Sequence, residues 1–241
     1  MLLLVDAGNT RVKWAIARDD AAPGEWIARG AVAHADLDTL RAAWGGHAVA
    51  RAIVSNVAGA ALGERLAALL PVAPAWFVAR PELAGLRNRY RDPARLGADR
   101  FAAAIGARLL APGQALVVAT CGTATTVDAL SADGEFLGGM ILPGLAMMLG
   151  SLARNTAQLP QVAVGTTLPP AFADNTVDAI VSGCIAAQVG AIERACRLLP
   201  AELCIVSGGA ASQLAPALGV PCRMQDNIVL VGLHAAAPCL D

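Results

Sequence analysis

The sequence predicts an α/β protein made of two related halves, each a mixed sheet flanked by helices. Three observations predict it. Over the first third of the chain, apolar runs of strand length and segments of helical period follow in the order strand, strand, strand, helix, strand, helix, strand. The opening pattern of strand, glycine turn, strand, turn, strand then returns beyond the middle of the chain. Between the two copies, Pro112-Gly113 is the best boundary, which divides the chain into residues 1–112 and 113–241.

The first two strands flank a polar turn. Leu2 to Val5 run into Asp6, and Val12, Trp14 and Ile16 later alternate with Arg11, Lys13 and Ala15. Ala7-Gly8-Asn9-Thr10 between them is turn chemistry, because Gly and Asn tolerate positive φ. A glycine turn brings backbone N–H groups to an anion with no side chain in the way. Asp6, at the end of the strand, can hold a hydrated cation near that anion. The stretch therefore reads either as an ordinary hairpin or as a phosphate-and-magnesium hairpin. Lys13 favours the second reading. It is the only lysine among 18 basic residues, and a compact point charge is what a lysine supplies and an arginine does not.

The next elements follow from period and punctuation. Glu25 to Val32 reads as a strand, Asp36 to Trp44 as a short helix and Val49 to Val54 as a strand. Gly59 to Leu70 is helical until Pro71 stops it, and Trp76 to Val78 is a short strand. Residues 80–100 then crowd Arg80, Arg87, Arg89, Arg91, Arg95 and Arg100 around the sole tyrosine, Tyr90. That segment is a solvated loop or one that receives an anionic ligand. Leu96-Gly97-Ala98-Asp99-Arg100 opens a helix that reaches Leu110. An aspartate in a first helical turn serves the helix as cap or dipole partner. The same position is expected to keep the carboxylate ionised, as a base requires.

In the second half, Ala115 to Ala119 is a strand, Cys121-Gly122-Thr123 a turn and Ala124 to Leu130 a strand. Asp133-Gly134 turns into a strand from Glu135 to Leu142, and Pro143-Gly144 into a helix through Leu152. Setting Gly8 against Gly122 places Asp6 opposite Thr120. Residues 154–172 form a polar, Pro-rich loop suited to face a ligand. Asp174-Asn175 caps a long helix to Leu199 in which Gly183 and Gly190 share a face that would allow close packing. Leu203 to Val206 is a strand, Ser207-Gly208-Gly209 leads into a helix, and a last helix spans Asn227 to Ala236. The junction at Ser207-Gly208-Gly209 suits close approach of an adenosine group to backbone.

Composition narrows the function. Hydrophobic residues make up 56%, enough for a substantial core, and the formal net charge of −1 argues against a general nucleic-acid binder. Asp6 interrupts the N-terminal apolar run early, which argues against a signal peptide. No uncharged apolar run approaches the roughly 18 residues of a membrane span. The six cysteines have no CxxC spacing and read as reduced thiols of a cytoplasmic protein. His34, His47 and His234 are isolated, which disfavours zinc.

DAGNTRVK (6–13), Tyr90 followed by LGADR (96–100), GTATTVD (122–128), GGMILPG (138–144), NTVDAIVSG (175–183) and SGG (207–209) occur in this order. In this the chain resembles the type III pantothenate kinases, a group that includes the Bvg accessory factors. The resemblance spans nearly the whole chain. It implies duplicated ribonuclease H-like domains of the acetate kinase, sugar kinase, chaperone and actin superfamily. It also implies transfer of the γ-phosphoryl group of ATP to the primary hydroxyl of pantothenate, the opening step of coenzyme A synthesis. By the resemblance, Asp6, Ala7, Gly8, Asn9, Thr10, Arg11, Val12 and Lys13 bind ATP, and Thr123 touches its phosphates. Tyr90, Gly97, Ala98, Asp99, Arg100 and Thr176 bind pantothenate, with Asp99 as the catalytic base. A homodimer, magnesium (at Asp6, directly or through water) and a monovalent cation, potassium or ammonium, are implied as well. Many members carry an aspartate two residues before the glycine of GTATT, where it ligates that cation; here Thr120 stands there.

Two rival functions share these residues: a kinase for another small hydroxy acid, and a nucleotide-binding regulator without turnover. Asp99 separates the second from the kinases, since a pure binder has no need of a carboxylate beside an acceptor.

Overall fold

The computed structural model describes residues 1–165 and 167–240. They group into two compact units: Met1–Pro112 with Gly134–Phe136 and Asn227–Asp241, and Gly113–Asp133 with Leu137–Asp226.

The first unit is built on β1 (Leu2–Ala7), β2 (Arg11–Ala17), β3 (Ala28–Ala33), α1 (Leu40–Gly45), β4 (Arg51–Asn56), α2 (Ala60–Leu69) and β5 (Pro74–Phe77). The strands lie in the order β3-β2-β1-β4-β5. β2 runs antiparallel to both β1 and β3, and β4 is parallel to both β1 and β5. β1 is buried along its whole length, which explains the apolar run from Leu2 to Val5. One face of the sheet is covered by Leu37, Leu40, Trp44, Leu62 and Leu66, with Trp44 edge-on to Trp14 at 6.4 Å.

The chain continues through β6 (Glu82–Leu83), β7 (Leu86–Asn88) and α3 (Ala98–Leu110). In the second unit come β8 (Leu116–Cys121), β9 (Ala124–Leu130), β10 (Glu135–Pro143), α4 (Leu145–Asn155), α5 (Thr176–Leu198), β11 (Leu203–Ser207), α6 (Ala211–Leu214) and β12 (Cys222–Met224). Their sheet order is β10-β9-β8-β11-β12. With β8 antiparallel to β9 and parallel to β11, and β11 parallel to β12, this is the first unit's arrangement again. The first residues of β10, Glu135 and Phe136, belong to the first unit and pair with Arg87 and Asn88 of β7.

The last helix, α7 (Ile228–Ala236), is apolar apart from the buried His234 and packs in the first unit against α3. The sequence had grouped it with residues 113–241. What joins it to α3 is an absence of side chains: a Cβ on Gly232 would stand 1.7 Å from the Ala102 carbonyl oxygen, and one on Gly106 2.7 Å from that of Ile228. The two backbones therefore touch. Gly183 and Gly190, which had suggested such packing, are exposed on α5, and a Cβ at either would meet nothing within 4 Å.

Three local expectations change. The helix expected from Asp36 begins instead as a 3₁₀ segment, His34–Thr39, before α1. The strand expected from Glu25 starts at Ala28, because Glu25 closes a turn onto the Ala22 carbonyl. The arginine-rich stretch contains the two short strands β6 and β7, which hold too few residues to show a period.

Candidate active site

Asp6 ends β1 beside two partners set by strand register. Lys13 faces it across the antiparallel pair and Ser55 across the parallel one. Only 9% of Asp6 is exposed. Burial pushes its carboxyl up to about 7; Lys13 pulls it down, and the charge of Asp99 raises it further. Asp99, distant in sequence, is therefore within electrostatic reach of Asp6. The fold thus brings within reach of each other two carboxylates that the sequence named separately.

The turn after Asp6 is held at both backbone groups of its glycine. The Gly8 N–H donates to the Arg11 carbonyl at 3.1 Å, and His34 Nε2 lies 2.9 Å from the Gly8 carbonyl. Asn9, Thr10 and Arg11 are exposed at the tip.

Asp99 lies one residue inside α3, whose N-cap, Gly97, contributes no side-chain cap. Its Oδ1 accepts the Arg100 N–H at 2.8 Å. The carboxylate folds back over Gly97, where a Cβ would stand 2.7 Å from that oxygen. Glycine at 97 is thus a condition for this pose. Burial raises the Asp99 pKa against the pull of the Arg100 amide and guanidinium, so the helix start is not the only influence on this carboxyl. A carboxyl raised in this way is a stronger base once ionised.

Arg100 is 6% exposed. Its Nη1 donates to the Tyr90 hydroxyl at 3.0 Å, and its guanidinium lies 5.6 Å from the ring centres of both Tyr90 and Phe136. Asn88 fixes this wall. It accepts the Tyr90 N–H at 3.0 Å and donates to the Pro93 carbonyl at 3.1 Å. Nearby, Glu135 binds both Arg87 and Arg89. Sequence reasoning missed Asn88 and Phe136. The asparagine sits in a two-strand hairpin too short to read, and Phe136 comes from a segment far along the chain.

In the second unit, three turns meet at the carboxyl ends of β8 and β11. Gly122 N–H donates to the Ala124 carbonyl and Gly144 N–H to the Thr123 carbonyl, each at 3.0 Å. Gly208, at φ +96°, lets the third turn lie on β8, where a Cβ would stand 2.4 Å from the Cys121 carbonyl oxygen. Crevices at such strand ends are where open α/β sheets receive ligands. Thr123 is exposed there. Thr120 faces Thr126 across the strand pair. Both hydroxyl oxygens are buried and have no hydrogen-bond partner among the described residues. Thr176 instead opens α5, beside an apolar groove of about 470 Å³ lined by Met148, Leu152, Leu159, Ile180 and Gly183.

The order of strands in the two units, each with a glycine turn at its leading hairpin, defines the fold of the sugar kinases and actin-like ATPases. Solved structures agree. A Baf family protein from Campylobacter jejuni matches with a TM-score of 0.65 at 22% identity, covering 99% of this chain and 100% of that one. An inorganic polyphosphate/ATP-glucomannokinase from an Arthrobacter species matches at 0.53 and 15% identity, covering 100% and 99%. Sequence comparison narrows this to one family. The type III pantothenate kinase family model matches residues 2–198. The chain is 58% identical to a type III pantothenate kinase of Janthinobacterium sp. (strain Marseille), over 98% of this chain and 97% of that one. It is 53% identical to that of Herminiimonas arsenicoxydans, over the same shares. The chain belongs to the type III pantothenate kinase family.

Proposed function

We propose that this protein transfers the γ-phosphoryl group of ATP to pantothenate, giving 4'-phosphopantothenate for coenzyme A synthesis. Membership of the family, at high identity over nearly the full chain, is the observation that carries the reading. Phosphoryl transfer is mainly positioning and charge neutralisation, and each role falls to a residue suited to it.

The turn from Asp6 to Lys13 is assigned to the nucleotide. It offers exposed backbone at Asn9, Thr10 and Arg11, with Ala7, Gly8 and Val12 as its frame and Lys13 as its point charge. Thr123 is assigned to the phosphates as well. Tyr90 and Arg100, with Gly97 and Ala98 at the head of α3, are assigned to pantothenate, whose carboxylate suits a guanidinium. Thr176 is assigned to pantothenate by family resemblance alone. Asp99 orients the acceptor hydroxyl and takes its proton. The raised pKa of Asp99 fits that task.

Asp6 fits magnesium: a buried carboxylate beside a second one is relieved by a cation. Among the described residues no group of three or more His, Cys, Asp or Glu could hold a metal ion. Magnesium would then sit on Asp6, directly or through water, and on ATP oxygens, and would neutralise phosphate charge. A monovalent cation fits less well, since Thr120 and Thr126 offer neutral hydroxyls only.

We further place the enzyme in the cytoplasm, with its substrates. α5 is long and apolar enough by composition to cross a membrane, but its Ile180, Val181, Ile185 and Ile192 sit in the core of the second unit. A homodimer is proposed through the open Gly183/Gly190 face of α5 and the adjoining apolar groove. A monomeric mass by light scattering at micromolar concentration would remove it.

The deciding experiment is ADP release from ATP by purified protein, with and without pantothenate. Release that depends on pantothenate supports the reading. Dependence on a different hydroxy acid, or no release, gives the site to one of its two rivals.

A further inference from the structure

Three cysteines that the kinase reading does not use fall into line in the second unit. Cys196 lies near the end of α5, and the chain returns as β11 to bring Cys204 beneath it. The Cys204 S–H donates to the Cys196 sulfur, which holds the Cys204 thiol up and draws the Cys196 thiol down. Cys222, on the edge strand β12, is the register partner of Cys204. Register partners share a face, and neighbouring strands run about 4.8 Å apart. That spacing lies within the Cα window of about 4.4–6.8 Å for a disulfide. Cys204 and Cys196 are buried, whereas Cys222 is exposed. The line thus runs from solvent into the core.

We propose that Cys222, Cys204 and Cys196 form an oxidisable thiol chain that takes up hydroperoxides at Cys222 and stores the oxidation as an internal disulfide. The Cys222 thiolate attacks the peroxide, the O–O bond breaks, and the thiol becomes a sulfenic acid as water or an alcohol leaves. Cys204 sulfur, its proton passing to the departing hydroxide, then attacks Cys222 sulfur and the S–O bond breaks. The products are a Cys204–Cys222 disulfide and water. Two electrons have moved from two thiols to one peroxide. Attack of Cys196 on Cys204 sulfur moves the disulfide inward and returns Cys222 as a thiol.

The test is treatment of the full-length protein with hydrogen peroxide, followed by alkylation, intact mass and peptide mapping. Wild type, alkylated unfolded, is expected to carry two fewer alkyl groups than the untreated protein and to yield a Cys204–Cys222 or Cys196–Cys204 cross-link. Cys222→Ser, an exposed change that leaves the core intact, is expected to lose the cross-link. Cys239→Ser, at the other exposed cysteine, is expected to keep it. Gain of oxygen alone, a cross-link through Cys239, or an undiminished Cys196–Cys204 cross-link in Cys222→Ser would each overturn the chain.

A second observation stands apart from this one. Resting on the reading that the turn after Asp6 holds the nucleotide, we infer that His34 is its positioning residue. With its N–H spent on Arg11, Gly8 contributes no donor to a phosphate. Its carbonyl would repel one. His34 draws that carbonyl toward itself at 2.9 Å. Because the peptide is planar and trans, the Asn9 N–H then points the opposite way, toward the tip. Loss of one such bond is expected to raise the KM for ATP about 2- to 12-fold. His34→Phe should show this rise with the KM for pantothenate unchanged, and His34→Gln, whose amide can donate, should restore it. Unchanged ATP kinetics in His34→Phe would overturn the inference and leave the nucleotide assignment standing. A rise for pantothenate alone would overturn both.

Discussion

The leading hairpins of the two units have the same architecture and opposite chemistry. In each, a glycine turn closes onto a carbonyl two or three residues on. In each, the last strand residues are flanked by an antiparallel partner on one side and a parallel strand bearing a serine on the other. Asp6 has Lys13 and Ser55 as neighbours; Thr120, at the same place, has Thr126 and Ser207. One unit thus presents a carboxylate and an ammonium where the other presents two neutral hydroxyls. The shared part is backbone, which the proposed assignment gives to phosphate in both units. The charges stand in one unit only, where Asp99 also lies.

If that asymmetry is functional, the largest losses come from the charged side. Asp99→Asn keeps the shape and removes the base. Turnover is expected to fall roughly 10²–10⁴-fold with ATP binding retained, read by steady-state kinetics and calorimetry. Near-normal turnover would take the acceptor-side role from Asp99 and leave the two hairpins without a chemical difference that matters.

The same side should carry a pH-dependent cost. In the metal-free protein Asp6 is pushed up to about 7 from an ordinary 3.8. Below the lower value it is protonated in both folded and unfolded chains. Between the two, the unfolded chain releases the proton and the folded chain keeps it. The contribution of Asp6 to stability is thus full at low pH and is lost as pH rises toward 7. Asp6→Asn should remove this loss. In chelator, its urea midpoint at pH 8 should exceed that of wild type by up to a few kcal/mol in stability terms. If the variant is instead less stable at pH 8, attraction to Lys13 outweighs burial. The corresponding Thr120→Val should show no such pH dependence.

How much of this was legible beforehand depends on length scale. Strands of six residues or more, glycine turns and the repeat between the halves could be read, because period and punctuation are local. The pairing of Asp6 with Lys13 was implicit in a tight hairpin, where residues flanking the turn must face each other. The approach of Asp99 to Asp6 was not implicit. Nor was the Arg100 clamp between Tyr90 and Phe136, since it joins α3 to a segment beyond the second hairpin. The glycines that carry helix packing within the chain were not legible for the same reason. Gly183 and Gly190 share a face on paper, but only tertiary structure shows that Gly106 and Gly232 are the ones in contact.

A smaller effect separates the two hairpins by ligand. Lys13→Ala should weaken ATP binding about 10- to 150-fold, as loss of a charge-assisted bond does, and leave pantothenate binding nearly unchanged. Thr126→Val, the matching change in the second unit, should leave both nearly unchanged. Calorimetric titration of each variant with each substrate checks the pair. The reverse pattern would exchange the roles of the two turns.

The smallest expected effect comes from moving the first unit's charge into the second. Thr120 and Thr126 leave two buried hydroxyl oxygens without a partner among the described residues. Such oxygens can approach a cation but bring no negative charge, and hard cations favour charged oxygen ligands. Wild-type turnover is therefore expected to respond only weakly to potassium or ammonium. Thr120→Asp would supply the carboxylate beside the neutral Thr126 hydroxyl, with no lysine opposite to neutralise it. The variant should show a larger potassium response than wild type. Turnover is to be compared in potassium, ammonium and a bulky organic cation at constant ionic strength, for both proteins. A wild type inactive without potassium and saturated at low concentration would mean that other groups replace the missing carboxylate. The two hairpins would then differ less in chemistry than their side chains suggest.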